Sequence, residues 1–226
     1  MVERSIFFEG KASDVVRVLL VNYPKTWALR DMAKEADVSL GWASKVSNAL
    51  IRERLALRAS ARSELKLMTP LDLLKRWAAV NNFAANAKFA EYYSREEDAS
   101  KFFSGFKGKK GPDYALTGLS GALLVAPFVR PTNAHVYVES EEDARKWAGL
   151  LGLTPVEENG NVKFAIAGSK SVFYGSKAVG GVRVVSDVQL FVDLLNYPAR
   201  GAEAAEEVLK TIEKRWKTSE KRKKVD

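Results

Sequence analysis

Two short helical patterns lie close together in the stretch 27–67 of this 226-residue chain. From position 29 to 36, apolar residues recur at three- and four-residue spacing, which predicts an amphipathic helix. Asp37 breaks that period at a turn, and Ser39 is a favoured N-cap for a second helix over 40–53. Two helices joined this tightly are typical of a helix-turn-helix motif.

The second predicted helix has two unlike faces. Ala43, Val46 and Leu50 form its apolar face. The opposite face carries polar or aromatic groups that have no core to enter, namely Gly41, Trp42, Ser44, Lys45 and Asn48.

A hairpin is predicted directly after this helix, as the winged form of the motif requires. Two short strands, 55–57 and 65–67, flank a polar tip that carries Arg58 and Arg62. The helix and the hairpin together hold six bases and two acids, a net charge of +4. A helical hairpin with a merely hydrated polar face is the alternative, but the excess of positive charge favours contact with phosphates.

The whole chain has the composition of a folded globular protein, 46% hydrophobic and 28% charged. It contains no cysteine, which excludes disulfides and thiolate metal sites. Its longest apolar run, 122–129, contains Pro127 and is too short to span a bilayer. The first residues lack a signal-peptide pattern. We expect a cytoplasmic protein that does not enter the membrane.

The net charge of +8 is unevenly distributed. Residues 1–66 carry +4 and residues 113–209 carry −4, whereas segment 101–112 has four lysines and no acid and the tail 210–226 carries +5. A DNA-binding module followed by a second domain with another task fits this asymmetry.

Helix and strand patterns mix after the hairpin, so we predict an α+β protein. Its predicted domains are a winged helix-turn-helix DNA-binding domain over 1–68, a connecting helix over 69–83, a mixed α/β domain over 84–217 and a basic tail over 218–226. Pro70 at the first helical position begins the connecting helix. The tail is expected to fray.

Side chains that cap helices mark several predicted helix starts. Ser13 or Asp14 is predicted to cap the first helix of the chain. Ser140 and Ser186 are predicted to cap two helices of the second domain. The last helix is expected over 202–216.

The sequence offers little for catalysis or metal binding. His135 is the only histidine and has no second imidazole or thiol for a metal site, so a surface or strand-end position is expected. Gly168-Ser169 and Gly175-Ser176 are similar to the Gly-Ser entry of nucleotidyltransferases, but strand 182–185 lacks the paired carboxylates of those enzymes. A mobile basic loop is the favoured alternative to a phosphate loop at 105–111. We expect no catalytic residue, no metal site and no cofactor.

Four dipeptides stand out in the carboxy-terminal run 184–216: Ser186-Asp187, Asp193-Leu194, Tyr197-Pro198 and Arg200-Gly201. Together with YALTGLSG at 114–121, they resemble the AbiEi-type antitoxins of type IV toxin–antitoxin systems and the solitary regulators related to them. The resemblance extends over most of the chain when the amino-terminal pattern is included.

The resemblance implies a transcriptional repressor that binds operator repeats in double-stranded DNA near its own promoter. In antitoxin members the carboxy-terminal domain also counteracts a nucleotidyltransferase toxin, without necessarily touching it. Two residues depart from the pattern of winged helices. Arg54 replaces the usual glycine before the wing strand, and Asp37 replaces a frequent glycine in the turn.

We predict that the second helix of the motif reads the major groove. Ser39 and its backbone N–H are placed to meet a phosphate. Lys45 is suited to guanine O6 and N7, and Asn48 to adenine N6 and N7. Trp42 either joins Ser44 in the groove or packs on the first helix.

Arginines are expected to flank the bases. Arg52 is predicted to contact a phosphate, and Arg58 and Arg62 to reach the backbone or the minor groove from the wing.

A lone monomer reads few bases, so we expect a homodimer or a two-site binder. An RNA- or ribosome-associated winged-helix protein is the second hypothesis, supported by the lysine-rich tail and loop. An enzyme with a winged-helix appendage is the third and weakest hypothesis, because no set of catalytic side chains stands out in the sequence.

Overall fold

The computed structural model describes residues 8–60 and 63–223. The chain divides into two compact units. The first contains the described residues up to Asn81 together with those from Lys210 onward, and the second contains Asn82–Leu209. The predicted wing-tip residue Arg62 lies outside the described residues.

Three helices and a short hairpin form the amino-terminal part of the first unit. They are α1 (Gly10–Val21), α2 (Leu29–Glu35), α3 (Leu40–Arg52), β1 (Ala56–Leu57) and β2 (Lys66–Leu67). The two strands are antiparallel. The two helices and the hairpin predicted for this stretch are thus confirmed as elements.

The first helix begins earlier than predicted. Ser13 and Asp14 lie inside α1, so their prediction as N-caps was wrong. Ser13 Oγ donates to the carbonyl of Gly10 at 2.7 Å, and the buried Asp14 carboxylate accepts from Arg17 Nη1 at 3.2 Å. Both side chains therefore have partners within the helix, and the chain enters it at Gly10 without a side-chain cap.

The segment before α2 pairs with the hairpin. The Trp27 N–H donates to the Leu65 carbonyl at 3.0 Å, and the Leu65 N–H donates back to Trp27 at 2.8 Å. Both side chains are buried. The core of this part of the unit also contains Val15, Leu19, Met32, Val46, Leu50 and Leu55.

A fourth helix, α4 (Pro70–Val80), follows the hairpin within the first unit. Pro70 stands at its start, as predicted, where the missing N–H costs no hydrogen bond. Leu74 and Trp77 are buried on one side of the helix. The Arg17 guanidinium lies 5.1 Å from the centre of the Trp77 ring.

The last helix, α10 (Gly201–Lys223), is longer than predicted. The predicted end near residue 216 was therefore wrong, and the predicted tail is helical as far as Lys223, whereas residues 224–226 lie outside the described residues. Tyr23 explains the extension, because its ring packs edge-on against Trp216 at 5.3 Å and its hydroxyl donates to Glu220 at 2.5 Å. These contacts hold the last turns of α10 in the first unit.

A seven-stranded mixed sheet forms the centre of the second unit. Its strands are β3 (Lys88–Tyr93), β4 (Tyr114–Leu116), β5 (Ala134–Val138), β6 (Thr154–Pro155), β7 (Val162–Ile166), β8 (Lys177–Val179) and β9 (Val182–Val184). Their order across the sheet is β6-β3-β7-β5-β4-β9-β8. β5 is parallel to β7 and β4 to β9, whereas the other pairs are antiparallel.

The second unit also contains helices, which alternate with the strands along the chain. They are α5 (Phe83–Asn86), α6 (Ala99–Ser104), α7 (Gly118–Val125), α8 (Glu141–Leu151), α9 (Asp187–Leu194) and the start of α10. The predicted caps of α8 and α9 are confirmed. Ser140 Oγ accepts the Asp143 N–H at 3.1 Å, and Ser186 Oγ accepts the Gln189 N–H at 3.1 Å.

Aromatic rings fill much of the core of the second unit. Phe106 stacks on Tyr114 with ring centres 4.6 Å apart, and Trp147 lies 4.9 Å from Phe106. Trp147 Nε1 donates to the Pro112 carbonyl at 3.1 Å. The chain is a mixed helix-and-strand protein, in agreement with the predicted α+β class. In the two described ranges, we find no helix that is both long and apolar enough to cross a membrane.

Candidate nucleic-acid interface

Asp37 turns the chain between α2 and α3. Its φ is 50°, in the left-handed region, and the Val38 N–H donates to the Ala33 carbonyl at 3.0 Å. Aspartate tolerates this backbone better than most residues because its short polar side chain can bond locally. Lys11 Nζ donates to the Asp37 carbonyl at 3.1 Å, which ties the turn to α1.

Arg54 makes a second left-handed turn, between α3 and β1. Its φ is 60°, and its N–H donates to the Ile51 carbonyl at 2.9 Å. The Leu55 N–H donates to the Leu50 carbonyl at 2.9 Å. Both departures from the winged-helix pattern therefore fall at positions with a left-handed backbone, which glycine adopts most easily. Arg54 and Asp37 adopt the same backbone although neither is glycine.

Ser39 begins α3 and confirms the predicted N-cap. Its Oγ accepts the Trp42 N–H at 3.2 Å. The hydroxyl oxygen is therefore used by the helix itself. A phosphate at this end of α3 would meet the remaining N–H groups of the first turn and the exposed side of Ser39.

The two faces of α3 differ as the periodicity predicts. Ala43, Val46 and Leu50 are buried. Ser47, also buried, donates its hydroxyl to the Ala43 carbonyl at 2.8 Å and so needs no outside partner. The opposite side, which we call the outward face of α3, consists of Trp42, Ser44, Lys45 and Asn48.

The outward face of α3 is open to solvent. Trp42 is 40% exposed, so its ring is not enclosed in the core. Lys45 Nζ lies 4.9 Å from the centre of that ring, a cation–π contact. Lys45 and Asn48 are exposed and Ser44 is half-buried. The structure thus brings all four predicted readers onto one surface.

The predicted phosphate contacts differ in their accessibility. Arg52, in the last turn of α3, is exposed. Arg58 is half-buried, and its Nε and Nη2 are buried without a hydrogen-bond partner in the part of the chain that the structure describes. Lys66, one of the six bases counted in the helix and the hairpin, faces Leu57 across the hairpin and is exposed.

The two acids near these bases already have partners. Glu53 accepts from Arg76 Nη1 at 3.4 Å, and Glu64 accepts from the Thr26 hydroxyl. Within the described residues, Lys45 and Arg52 form no ion pair. The positive charge of the outward face of α3 is therefore not neutralised by neighbouring carboxylates.

Arg76 is a supporting residue that the sequence argument missed. Its Nε and Nη2 donate to the two carboxylate oxygens of Asp72 at 3.0 and 2.9 Å. These hydrogen bonds raise the pKa of Arg76 above the ordinary value of an arginine. The spacing of four residues between Asp72 and Arg76 on a predicted helix was an available signal. The contact with Glu53, 23 residues away, was not.

Several polar side chains of the second unit form a buried hydrogen-bond network around Asp193. Asp193 is buried and accepts from Thr117 Oγ1 at 2.6 Å, Gln189 Nε2 at 2.8 Å and the Tyr137 hydroxyl at 3.3 Å. A carboxylate satisfied in this way holds helices and strands together. Over the described ranges, no group of three or more potential ligand side chains is placed to hold a metal ion.

His135 is the second residue of β5, near the strand start as expected, but it is buried, so a surface position was wrong. Phe83, Phe89 and Tyr197 surround its ring, with centres 5.8, 5.8 and 5.3 Å away. Burial lowers the pKa of His135 to about 4, with Lys163 acting in the same direction. The imidazole is therefore neutral at pH 7 and serves as part of an aromatic cluster.

A family model described as "Transcriptional regulator, AbiEi antitoxin, Type IV TA system" matches residues 66–214, well over half of the chain. The chain belongs to this AbiEi family. The resemblance inferred from the carboxy-terminal motifs is thus confirmed. Searches of curated proteins and of solved structures found no match.

Family membership makes the chain a regulator of the type IV toxin–antitoxin class. The matched region begins in β2, so α1, α2 and α3 lie outside it. The AbiEi motifs have structural roles here. Ser186 caps α9, Asp193 accepts the buried hydrogen bonds described above, and the Tyr197 hydroxyl lies 3.4 Å from His135 Nε2.

Proposed function

We propose that this AbiEi family member is a sequence-specific DNA-binding transcriptional repressor. In this proposal α1, α2, α3 and the hairpin constitute a winged helix-turn-helix, and α3 is its recognition helix. The observation that carries the proposal is the outward face of α3, where an exposed Trp42–Lys45 pair and Asn48 lie beside an arginine-bearing hairpin.

The chemistry of the face suggests how it would read DNA. Lys45 would donate to guanine O6 or N7, and Asn48 would bond adenine N6 and N7 as donor and acceptor. Ser44 can bond either base, and Trp42 would offer its ring to a thymine methyl group or a sugar. Because Lys45 already lies over Trp42, its ammonium is held near the helix and loses less freedom on binding.

Arginines would position the protein on the backbone. Arg52 extends the basic surface at the end of α3, and Arg58 and Arg62 would contact the backbone or minor groove from the wing. The first turn of α3, capped by Ser39, would receive a phosphate. Base-reading by one short helix covers few base pairs, so we propose that a homodimer or two chains on operator repeats complete the complex.

The second unit supports a further part of the proposal. It lies within residues 66–214, which match the AbiEi antitoxin description, and this match supports a role in neutralising a toxin. We propose that the partner gene encodes a nucleotidyltransferase toxin, as the resemblance implies for antitoxin members. Co-expression of the two proteins would test this role, because growth would be restored only if the chain is an antitoxin.

The DNA-binding part is tested by Lys45→Ala combined with Asn48→Ala. Loss of two base contacts should weaken binding to the operator by about 2–5 kcal/mol and leave binding to a scrambled duplex nearly unchanged. Lys110→Ala is the matched control, since it removes one exposed lysine from the second unit. Fluorescence anisotropy at fixed salt measures both. Undiminished operator affinity in the double variant would reject α3 as the reader, and a preference for structured RNA over any duplex would favour the RNA-binding alternative.

A further inference from the structure

A cavity of the first unit lies beside the hairpin. Its volume is about 430 Å³, within the range of about 300–1,000 Å³ that is usual for small-molecule pockets. The segment after α1, the strand β2 and the last turns of α10 line it, and all three belong to the first unit. We call it the hairpin pocket, and its lining includes Tyr23, Thr26, Lys66, Leu67, Met68 and Glu220.

Glu220 places a carboxylate in the lining of the hairpin pocket. Its Oε1 accepts from the Tyr23 hydroxyl at 2.5 Å, and the Tyr23 ring packs edge-on against Trp216 at 5.3 Å. Among the described residues, Glu220 forms no ion pair and accepts from no further donor. Since a carboxylate has room for several donors, Glu220 is held in place and can still accept from a group inside the pocket.

Lys66 places an ammonium group in the same lining. It is exposed, and its side chain has no hydrogen bond or ion pair within the part of the chain that the structure describes. Lys66 and Glu220 therefore line one pocket as opposite charges that do not pair with each other. An ammonium group donates up to three hydrogen bonds, so Lys66 can bind an anionic group there.

The charged groups beside these two residues are engaged elsewhere. Glu64 accepts from the Thr26 hydroxyl. Lys25 Nζ lies 3.7 Å from the centre of the Trp27 ring, a cation–π contact. Neither Glu64 nor Lys25 is therefore placed to neutralise Lys66 or Glu220.

The remaining lining offers apolar surface. Leu67 is buried, whereas Met68 is 43% exposed. A methionine side chain adapts its shape to what it contacts, and covering it removes apolar area from water. An occupant with an apolar group would gain from contact with Met68 and with the Tyr23 ring.

These three features together define the chemistry of an occupant. A simple amine would meet Glu220 but be repelled by Lys66, and a simple carboxylate would meet the reverse. A molecule with both charges and an apolar group satisfies all three features. We propose that the hairpin pocket binds a small zwitterion, a free amino acid with an apolar side chain. Its ammonium group would donate to Glu220, its carboxylate would accept from Lys66, and its side chain would cover Met68.

The test compares three ligands that differ by one charged group. Leucine carries both charges, isoamylamine is leucine without the carboxylate, and isocaproate is leucine without the ammonium group. Each is titrated into the full-length wild type and followed by ligand-observed NMR. Leucine should bind with a Kd of about 0.1–1 mM. The other two should bind at least about tenfold more weakly, because each lacks one charge-assisted contact.

Two single variants assign the contacts. Glu220→Gln and Lys66→Gln should each weaken leucine binding at least about tenfold. A glutamine at position 220 can still accept from the Tyr23 hydroxyl through its amide oxygen. Glu213→Gln, on the same helix, and Lys34→Gln, exposed on α2, lie outside the lining and should bind leucine as the wild type does. Circular dichroism verifies that each variant retains its helix content.

Several results would overturn the proposal. One is no leucine binding by the wild type at about 10 mM, well above the expected Kd. Others are equal binding of isoamylamine or isocaproate, and equal losses in the pocket variants and their controls. The ligand comparison needs only the wild type, so it holds even if a variant fails to fold. The titrations contain no DNA, so their outcome is independent of the proposed role of α3.

Discussion

The Tyr23 hydroxyl donates a 2.5 Å hydrogen bond to Glu220 Oε1 across 197 residues of sequence. The contact joins the segment after α1 to the last turns of α10, and both ends lie in the first compact unit. Burial, reinforced by Glu220, raises the pKa of Tyr23 to about 12. A single tyrosine thereby connects the amino-terminal helices to the last helix of the chain.

This contact predicts a loss of stability at high pH. The folded state holds the Tyr23 proton more tightly than the unfolded state, in which the pKa is near 10. The stabilisation is therefore complete below pH 10 and decreases as the pH rises from 10 toward 12. Urea denaturation at pH 8, 10 and 11 should show a steeper decline for the wild type than for Tyr23→Phe. Parallel pH profiles for the two proteins would contradict the assignment.

The buried carboxylate of Asp193 should contribute strongly to the stability of the second unit. Asp193→Ala leaves three donors without their acceptor, from Thr117, Tyr137 and Gln189, and should cost about 2–4 kcal/mol. Glu158→Ala, on the surface, is the control and should change stability by less than about 0.5 kcal/mol. Urea midpoints at constant m-value measure both. Equal urea midpoints for Asp193→Ala and the wild type would show that the hydrogen bonds of Asp193 do not stabilise the fold.

Two glycine-to-alanine substitutions should have opposite effects. At Gly201 a Cβ atom would lie 2.6 Å from the Leu194 carbonyl oxygen and 2.7 Å from Tyr197 Cβ, so Gly201→Ala should destabilise by about 1–3 kcal/mol. At Gly149, inside α8, nothing lies within 4 Å of the added atom. Gly149→Ala should therefore stabilise by about 0.5–1 kcal/mol. Thermal unfolding ranks the two variants against the wild type, and a reversed order would contradict the packing around Gly201.

Local chemistry explains what the sequence predicts well. Ser39, Ser140 and Ser186 each bond a backbone N–H three residues further along, a contact that depends only on nearby residues. Helical periodicity likewise identifies the buried and outward faces of α3. The left-handed turns at Asp37 and Arg54 fall where the motif requires them, although neither residue is glycine.

Long-range contacts account for the failures. The end of α10 depends on Tyr23, and no pattern within 217–223 reveals that partner. His135 is buried by rings from distant segments, among them Phe83 and Tyr197, so its position at a strand start was misleading. At the candidate interface, periodicity alone left two roles open for Trp42, and its exposure was decided by the packing of the whole unit.

The central claim is that the outward face of α3 reads bases, and selection from a random pool of DNA duplexes tests it most directly. The wild type should enrich one motif, most informative at guanine and adenine positions. Lys45→Ala should relax the preference at guanine, and Asn48→Ala at adenine, while the other positions are retained. An unchanged motif in both variants, or no motif for the wild type, would contradict the account.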